Sequence, residues 1–184
     1  MIRRVNSRED ILAAAEAVVG ESGASHLTLD AVAEKAGISK GGLLYHFPSK
    51  EDLLRGMLSR QLEQADARRE QVRSGEALRS DPAAGLKAYV EAAFHGDPSR
   101  ERVCTALLAA AASDPRLVAP VKDWHARNFA EFSAGSHDPM RVLVLMLALD
   151  GLWLNEVMGT ACFGSGLRER LREVMLSLAG EAVR

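Results

Sequence analysis

The stretch from Thr28 to Lys50, TLDAVAEKAGISKGGLLYHFPSK, leaves this chain few ways to fold. It holds two short helical periods separated by a glycine turn, with a third helix start directly behind them. Thr28 is placed to cap the first helix through its hydroxyl. Asp30 sits in the first turn, where the helix dipole favours an acid, and Leu29, Val32, Ala33 and Ala36 recur on one face. Gly37 follows the last periodic residue, where a left-handed helix C-terminus favours glycine, and Ile38 is predicted to pack beneath the turn. Ser39 restarts the chain as the N-cap of a two-turn helix with Leu43 and Phe47 inward and Lys40, Gly41, Tyr45 and His46 elsewhere. Pro48 stops that helix, Ser49 caps the next, and Asp52 completes a capping-box-like pattern. This is the order of a helix-turn-helix, in which the second helix enters the major groove of DNA, ~12 Å wide. The amides of the new helix start, with Lys50 beside them, form an anion site suited to a phosphate.

The rest of the chain reads as helical too. Of 184 residues 47% are hydrophobic, enough for a small module plus a larger one, and aromatics are only 5%. Ala and Leu are frequent and β-branched runs scarce, so an all-α protein is expected. Lys and Arg total 23 against 25 for Asp and Glu, a net charge of -2. A chain so balanced does not coat nucleic acid indiscriminately; DNA binding must come from locally placed cations such as Arg3, Arg4, Lys40 and Lys50. Residues 1–20 lack a continuous apolar region of the signal-peptide kind, and a cytoplasmic protein is expected. Cys104 and Cys162 are expected as free thiols.

In chain order, Arg3 and Arg4 lie on an expected flexible arm. Ser7 with Asp10 begins a helix whose stripe Ile11, Leu12, Ala15, Val18 and Val19 ends near Gly20 to Gly23. From Lys50 the period runs to about Arg73, giving a long fourth helix, and Ser74-Gly75 and Ser80-Asp81-Pro82 mark a loop. Leu86, Tyr89, Val90 and Phe94 repeat on the next helix. An Ala/Leu-rich helix over Arg100 to Ala112 contains Cys104, and a further one begins at Asp114-Pro115 and ends at Gly135. The longest apolar helix is expected from Met140 to about Phe163, closed by Gly164-Ser165-Gly166, and the last from Leu167 to about Val183. Two long apolar-faced helices at the end suggest a pairing surface, for which Leu145, Leu149, Leu167, Leu171, Val174 and Leu178 are the candidates.

Catalytic patterns are missing. Gly164-Ser165-Gly166 lacks the spacing of a nucleophile elbow, there is no phosphate loop or dinucleotide fingerprint, and His26, His46, His95, His125 and His137 are scattered without a paired spacing. The reading is therefore not an enzyme, with no metal and no cofactor.

The segment ILAAAEAVVGESGASHLTLDAVAEKAGISKGGLLYHFPSKEDLL, with its A-G-I-S turn, its aromatic helix end and its P-S-K-E restart in that order, resembles the N-terminal domain of the tetracycline-repressor-like (TetR) family of transcriptional regulators. The resemblance spans roughly residues 8 to 58. It implies a three-helix helix-turn-helix DNA-binding domain over residues 1–56 and a helical ligand-sensing and dimerisation domain over 57–184, the boundary lying near Met57 inside the fourth helix. Carried over by position, Thr28, Ser39 and Lys50 fall at phosphate contacts, and Lys40, Gly41, Gly42, Tyr45 and His46 on the groove-facing helix. Gly42 and Leu44 stand where a common form of the family has threonine and tyrosine, so two contacts are absent. The family also implies a mostly apolar cavity in the larger domain, for which the residues offer Tyr89, Phe94, Cys104, Trp124, His125, Phe129, Met146, Trp153 and Met158. The function so implied is a homodimeric repressor released from a palindromic operator by a small-molecule effector. A ligand-independent or activating regulator, and an interaction or small-molecule-carrying module with weak DNA binding, are the alternatives.

Overall fold

In the computed structural model the described residues are 8–75, 78, 81–95, 98–162 and 164–183; the expectations for Arg3, Arg4, Ser7 and Phe163 lie outside them. Among these residues there are nine α-helices and no strand. They are α1 (Arg8–Ser22), α2 (Leu29–Ala36), α3 (Lys40–His46), α4 (Lys50–Arg73), α5 (Ala84–Phe94), α6 (Pro98–Ser113), α7 (Ala119–Ala134), α8 (Pro139–Val157) and α9 (Ser165–Val183), with short 3-10 turns at Ala24–His26 and Pro115–Val118. None of the described helices is long and apolar enough to cross a membrane. The chain forms two compact units, one of residues 1–62 and 97–121, the other of 63–96 and 122–184, the first cut falling inside α4.

The first unit is built on a single apolar cluster. Ile11, Leu12, Ala15 and Val19 of α1 meet Val32, Ala33 and Ala36 of α2, Leu43 and Phe47 at α3, and Leu53 and Met57 of α4. Each fully buried Leu or Ile in such a cluster is worth roughly 1.5–3 kcal/mol against exposure. The Ala/Leu-rich α6 packs on α1 and sends Val103, Ala106 and Leu107 into the same cluster, joined by Leu117 from the following turn. Cys104 therefore belongs to this unit. The sequence placed it with the larger domain because an apolar helix does not declare which neighbour covers it. Gly56 lets α4 close onto the cluster: a Cβ there would stand 2.7 Å from Phe47 Cε1 and 3.2 Å from Leu12 Cδ2.

In the second unit α5, α8 and α9 pack on one another. Val142, Leu145, Met146, Leu149 and Leu152 of α8 are buried, as are Leu86, Ala88, Val90 and Phe94 of α5 and Met175, Ala179 and Ala182 of α9. The start of α8 is tied to the end of α9 by Ser136 Oγ donating to the Ala182 carbonyl at 2.6 Å and by Arg141 pairing with Glu181 at 3.0 Å. Helix α8 stops at Val157, earlier than its apolar composition predicts. Gly159, at φ 67°, turns the chain in the left-handed region, and Thr160 bonds back to Asn155 through backbone and hydroxyl. Helix α9 then begins at Ser165, so the Gly-Ser-Gly run reaches into its start.

Candidate nucleic-acid interface

Three helix starts are set up by three hydroxyls. Thr28 Oγ1 accepts from the Ala31 amide at 3.1 Å, Ser39 Oγ from Gly42 at 3.1 Å, and Ser49 Oγ from Asp52 at 3.0 Å while donating to its carboxylate at 2.7 Å. Each satisfies one amide that a helix start leaves open, and fixes where α2, α3 and α4 begin. Gly37 ends α2 in the left-handed region at φ 66°, and the Ile38 amide reaches back to the Ala33 carbonyl at 3.0 Å, which sets the turn between α2 and α3. Ile38 packs against the core cluster, as its position predicts.

With Leu43 and Phe47 inward, the opposite side of α3 is open. Tyr45 is 85% exposed and meets the His46 ring edge to face at a centroid distance of 5.2 Å. Lys40, Gly41 and Lys50 are exposed as well, with Gly42 and His46 half-buried. A 2.9 Å ion pair between Lys40 Nζ and Asp30 of α2 is the feature that local spacing does not show. It holds the lysine along the turn rather than leaving it extended. Arg55 is likewise paired with Asp52 at 2.8 Å, and Lys35 with Glu21 at 2.7 Å. Arg8, whose guanidinium lies 5.0 Å from the Phe47 ring centroid, braces the end of α3 from α1.

The residues proposed for a ligand cavity do not form one group. Tyr89 and Trp124 come together with Phe132, at ring-centroid distances of 5.8 and 5.2 Å from Tyr89. Around them is a polar belt that sequence spacing does not show, since its partners are 58 and 59 residues apart: Trp124 Nε1 donates to Asp66 at 2.9 Å, and Arg69 donates to the buried Asn128. His125 lies 3.6 Å from Asp150. Burial raises the Asp150 carboxyl above its usual range, and His125 pulls it the other way. Burial, with Asp150 adding to it, pushes the Tyr89 phenol far up. Met146 is buried in α8 and Phe129 half-buried. Phe94 stands apart under Arg168, 4.9 Å from its centroid, while Trp153 and Met158 are exposed and Cys104 is in the other unit.

The pairing candidates need a correction of register. Leu145 and Leu149 are 1% and 3% exposed, enclosed by their own chain and closed to any partner. The outward large apolar residues of α8 are Met140, Val144, Leu147, Trp153 and Leu154, with Met158 just past its end; Met140, Val144, Leu147 and Leu154 follow helical spacings of four, three and seven. On α9 Leu167 and Val174 are exposed, with Leu171 half-buried between them and Leu178 half-buried one turn beyond.

Comparison with known proteins agrees with this architecture along most of the chain. Residues 11–57 match the bacterial regulatory proteins of the tetR family, and residues 83–180 the tetracyclin repressor-like C-terminal domain. A transcriptional regulator from Rhodococcus sp. Rha1 is 27% identical, with a TM-score of 0.72 over 96% of this chain and 95% of that one. The multidrug binding protein EbrR in complex with ethidium is 28% identical, with a TM-score of 0.70 over 93% and 97%. The nucleoid occlusion factor SlmA of Vibrio cholerae serotype O1 is 39% identical over 57 residues, which are 30% of this chain and 29% of that protein. With both halves matched in order, and with a capped helix-turn-helix presenting an open α3, the chain belongs to the TetR family of DNA-binding transcriptional regulators.

Proposed function

We propose that this regulator is a homodimeric repressor, with α3 entering the major groove of a palindromic operator and a small molecule bound by the larger domain causing release. The observation that carries the DNA half is the open face of α3: Tyr45 projects outward from a helix anchored on its other side by the buried Leu43. The capped starts of α3 and α4 offer their amides to phosphates on either side. In this reading Thr28, Ser39 and Lys50 hold the backbone, and Lys40, Gly41, Gly42, Tyr45 and His46 face the bases. Residues 1–56 serve as the DNA-binding domain and 57–184 as the sensing and pairing domain.

The apolar stripe on α8 and α9 supports pairing with a second copy. Two-fold pairing through Val144, Leu147, Leu154, Leu167 and Val174 would cover residues that water otherwise meets, and would set two copies of α3 at the ~34–36 Å repeat of the duplex. The Tyr89, Trp124 and Phe132 cluster, with Asp66 and Asp150 close by, is the effector site of this proposal. Aromatic faces with carboxylates suit a planar cation, the class to which the ethidium bound by EbrR belongs. An effector that prefers the conformer with its recognition helices wrongly spaced lowers operator affinity, and DNA lowers effector affinity by the same factor.

The test is selection of bound duplexes from a random-sequence pool by the wild type and by a Tyr45→Ala/Lys50→Ala variant. A two-fold symmetric site enriched by the wild type alone is the expected result. A folded protein that enriches no motif would refute the operator reading.

A further inference from the structure

Helix α9 carries two chemically different faces. At 100° per residue, Arg172 and Leu176 lie roughly opposite Leu167, Leu171, Val174 and Leu178, with Arg168 about 90° from them. The second face, with α5 and the end of α4, borders an open cleft of about 890 Å³, within the ~300–1,000 Å³ of small-molecule sites. Val72, Leu78, Phe94 and Leu176 form its apolar wall. Lys87, Arg168 and Arg172 supply cations beside His95, against Glu91 and Glu169.

Acids fix these cations in place. Lys87 pairs with Asp81 at 2.5 Å, and Arg172 with both Glu91 and Glu169 at 2.5 Å, which engages all three guanidinium nitrogens. Arg168 is held differently. Its Nε donates to Glu156 at 2.6 Å and its guanidinium lies over the Phe94 ring, and among the described residues none accepts from its two terminal nitrogens. The result is a guanidinium fork, anchored from behind by a carboxylate and from below by an aromatic ring, at the border of an apolar cleft.

We propose that this cleft binds an amphiphilic monocarboxylate, its head on the free edge of Arg168 and its apolar body along Phe94, Leu78 and Leu176. The fork geometry matches a carboxylate bidentately. A neutral amphiphile of the same shape would cover those donors without pairing them, and an ammonium would meet like charge. Arg172 and Leu176 of the cleft lining lie on the side of α9 away from the outward apolar stripe. The cleft shares no lining residue with the Tyr89, Trp124 and Phe132 cluster.

Calorimetric titration of the full chain with octanoate, octanol and octyltrimethylammonium tests the assignment. Octanoate should bind saturably, octanol at least about tenfold more weakly, and the ammonium not at all. Arg168→Gln should weaken octanoate by about ten- to hundredfold, to the level of octanol, and leave octanol unchanged. Because that change also breaks the pair with Glu156, Glu156→Gln serves beside it: it removes the same pair but keeps the fork, and should retain octanoate binding within about threefold. Equal binding of octanol and octanoate, a loss in Glu156→Gln as large as in Arg168→Gln, or no saturable binding to the wild type would each overturn the proposal.

Discussion

Replacing Gly41 by alanine asks whether α3 is a formed helix before any DNA arrives. A Cβ at position 41 would meet only Ser39 Oγ, at 3.9 Å, an ordinary contact, so the substitution adds no clash and removes no bond. What remains is backbone entropy: glycine in a helix is roughly 0.5–1 kcal/mol less favourable than alanine. If α3 is helical in the free protein, that difference stabilises it, and amides opening with α3 should exchange about two- to fivefold more slowly, RT being ~0.6 kcal/mol. The reporters are Leu43, whose amide bonds to the Ser39 carbonyl at 3.0 Å, and Phe47, bonded to the Leu43 carbonyl at 2.8 Å. Gly37→Ala is the opposite case. At φ 66° the left-handed conformation costs an ordinary residue about 1–2 kcal/mol, so the Ile38 amide should exchange roughly 5- to 30-fold faster. Hydrogen exchange followed by mass spectrometry reads both. Unchanged exchange at Leu43 and Phe47 in Gly41→Ala, with Gly37→Ala behaving as stated, would show that α3 does not hold its helix in solution.

Gly56→Ala should destabilise the first unit, because its Cβ would stand 2.7 Å from Phe47 Cε1 and 3.1 Å from Arg8 Nη2. Overpacking of ~1–3 kcal/mol less ~1 kcal/mol of helix propensity leaves a net loss of up to about 2 kcal/mol, read as a lower melting temperature by circular dichroism, and an unchanged or higher midpoint would refute the close approach. Asp30→Asn frees Lys40 from an exposed ion pair that contributes at most ~1 kcal/mol to stability. Binding to a selected duplex should tighten, because the freed lysine can turn to the base edges; unchanged affinity would show that Lys40 does not reach the groove. In Tyr45→Phe the single remaining tyrosine is Tyr89, whose phenol burial pushes far up. An unfolded chain releases that proton near pH ~10 while the folded one retains it, so stability falls as pH rises past that point. Ultraviolet absorbance of phenolate should appear only as the far-ultraviolet dichroism collapses, and phenolate in a protein with intact helices would contradict the burial.

What could be read in the sequence was set by local chemistry. Thr28, Ser39 and Ser49 cap helices within three residues of themselves, and Gly37 takes a conformation that few other residues tolerate, so the turn and the starts of α2, α3 and α4 were legible to the residue. Partners far along the chain were not. Asp30 against Lys40 falls across the turn, and Trp124 finds Asp66 from 58 residues away, with no spacing rule to connect them. Helix α8 shows the limit most clearly. Leu145, Leu149 and Leu152 form one apolar stripe, and Val144, Leu147 and Leu154 a second beside it. Periodicity marks both as apolar and does not rank them. The packing of α5 and α9 against α8 decides which stripe is interior. Once the first is buried, the second is left as apolar surface on a helix that ends in a glycine turn and joins another with the same property. A sequence that maintains two apolar stripes on one exposed helix spends solubility unless something covers the outer one. The same reasoning that removes Leu145 and Leu149 gives the proposed pairing surface its members. Leu147→Glu should leave the fold intact, since that side chain is 61% exposed, while shifting a dimer toward monomer in sedimentation. A dimer that persists unchanged in Leu147→Glu would place the pairing surface elsewhere.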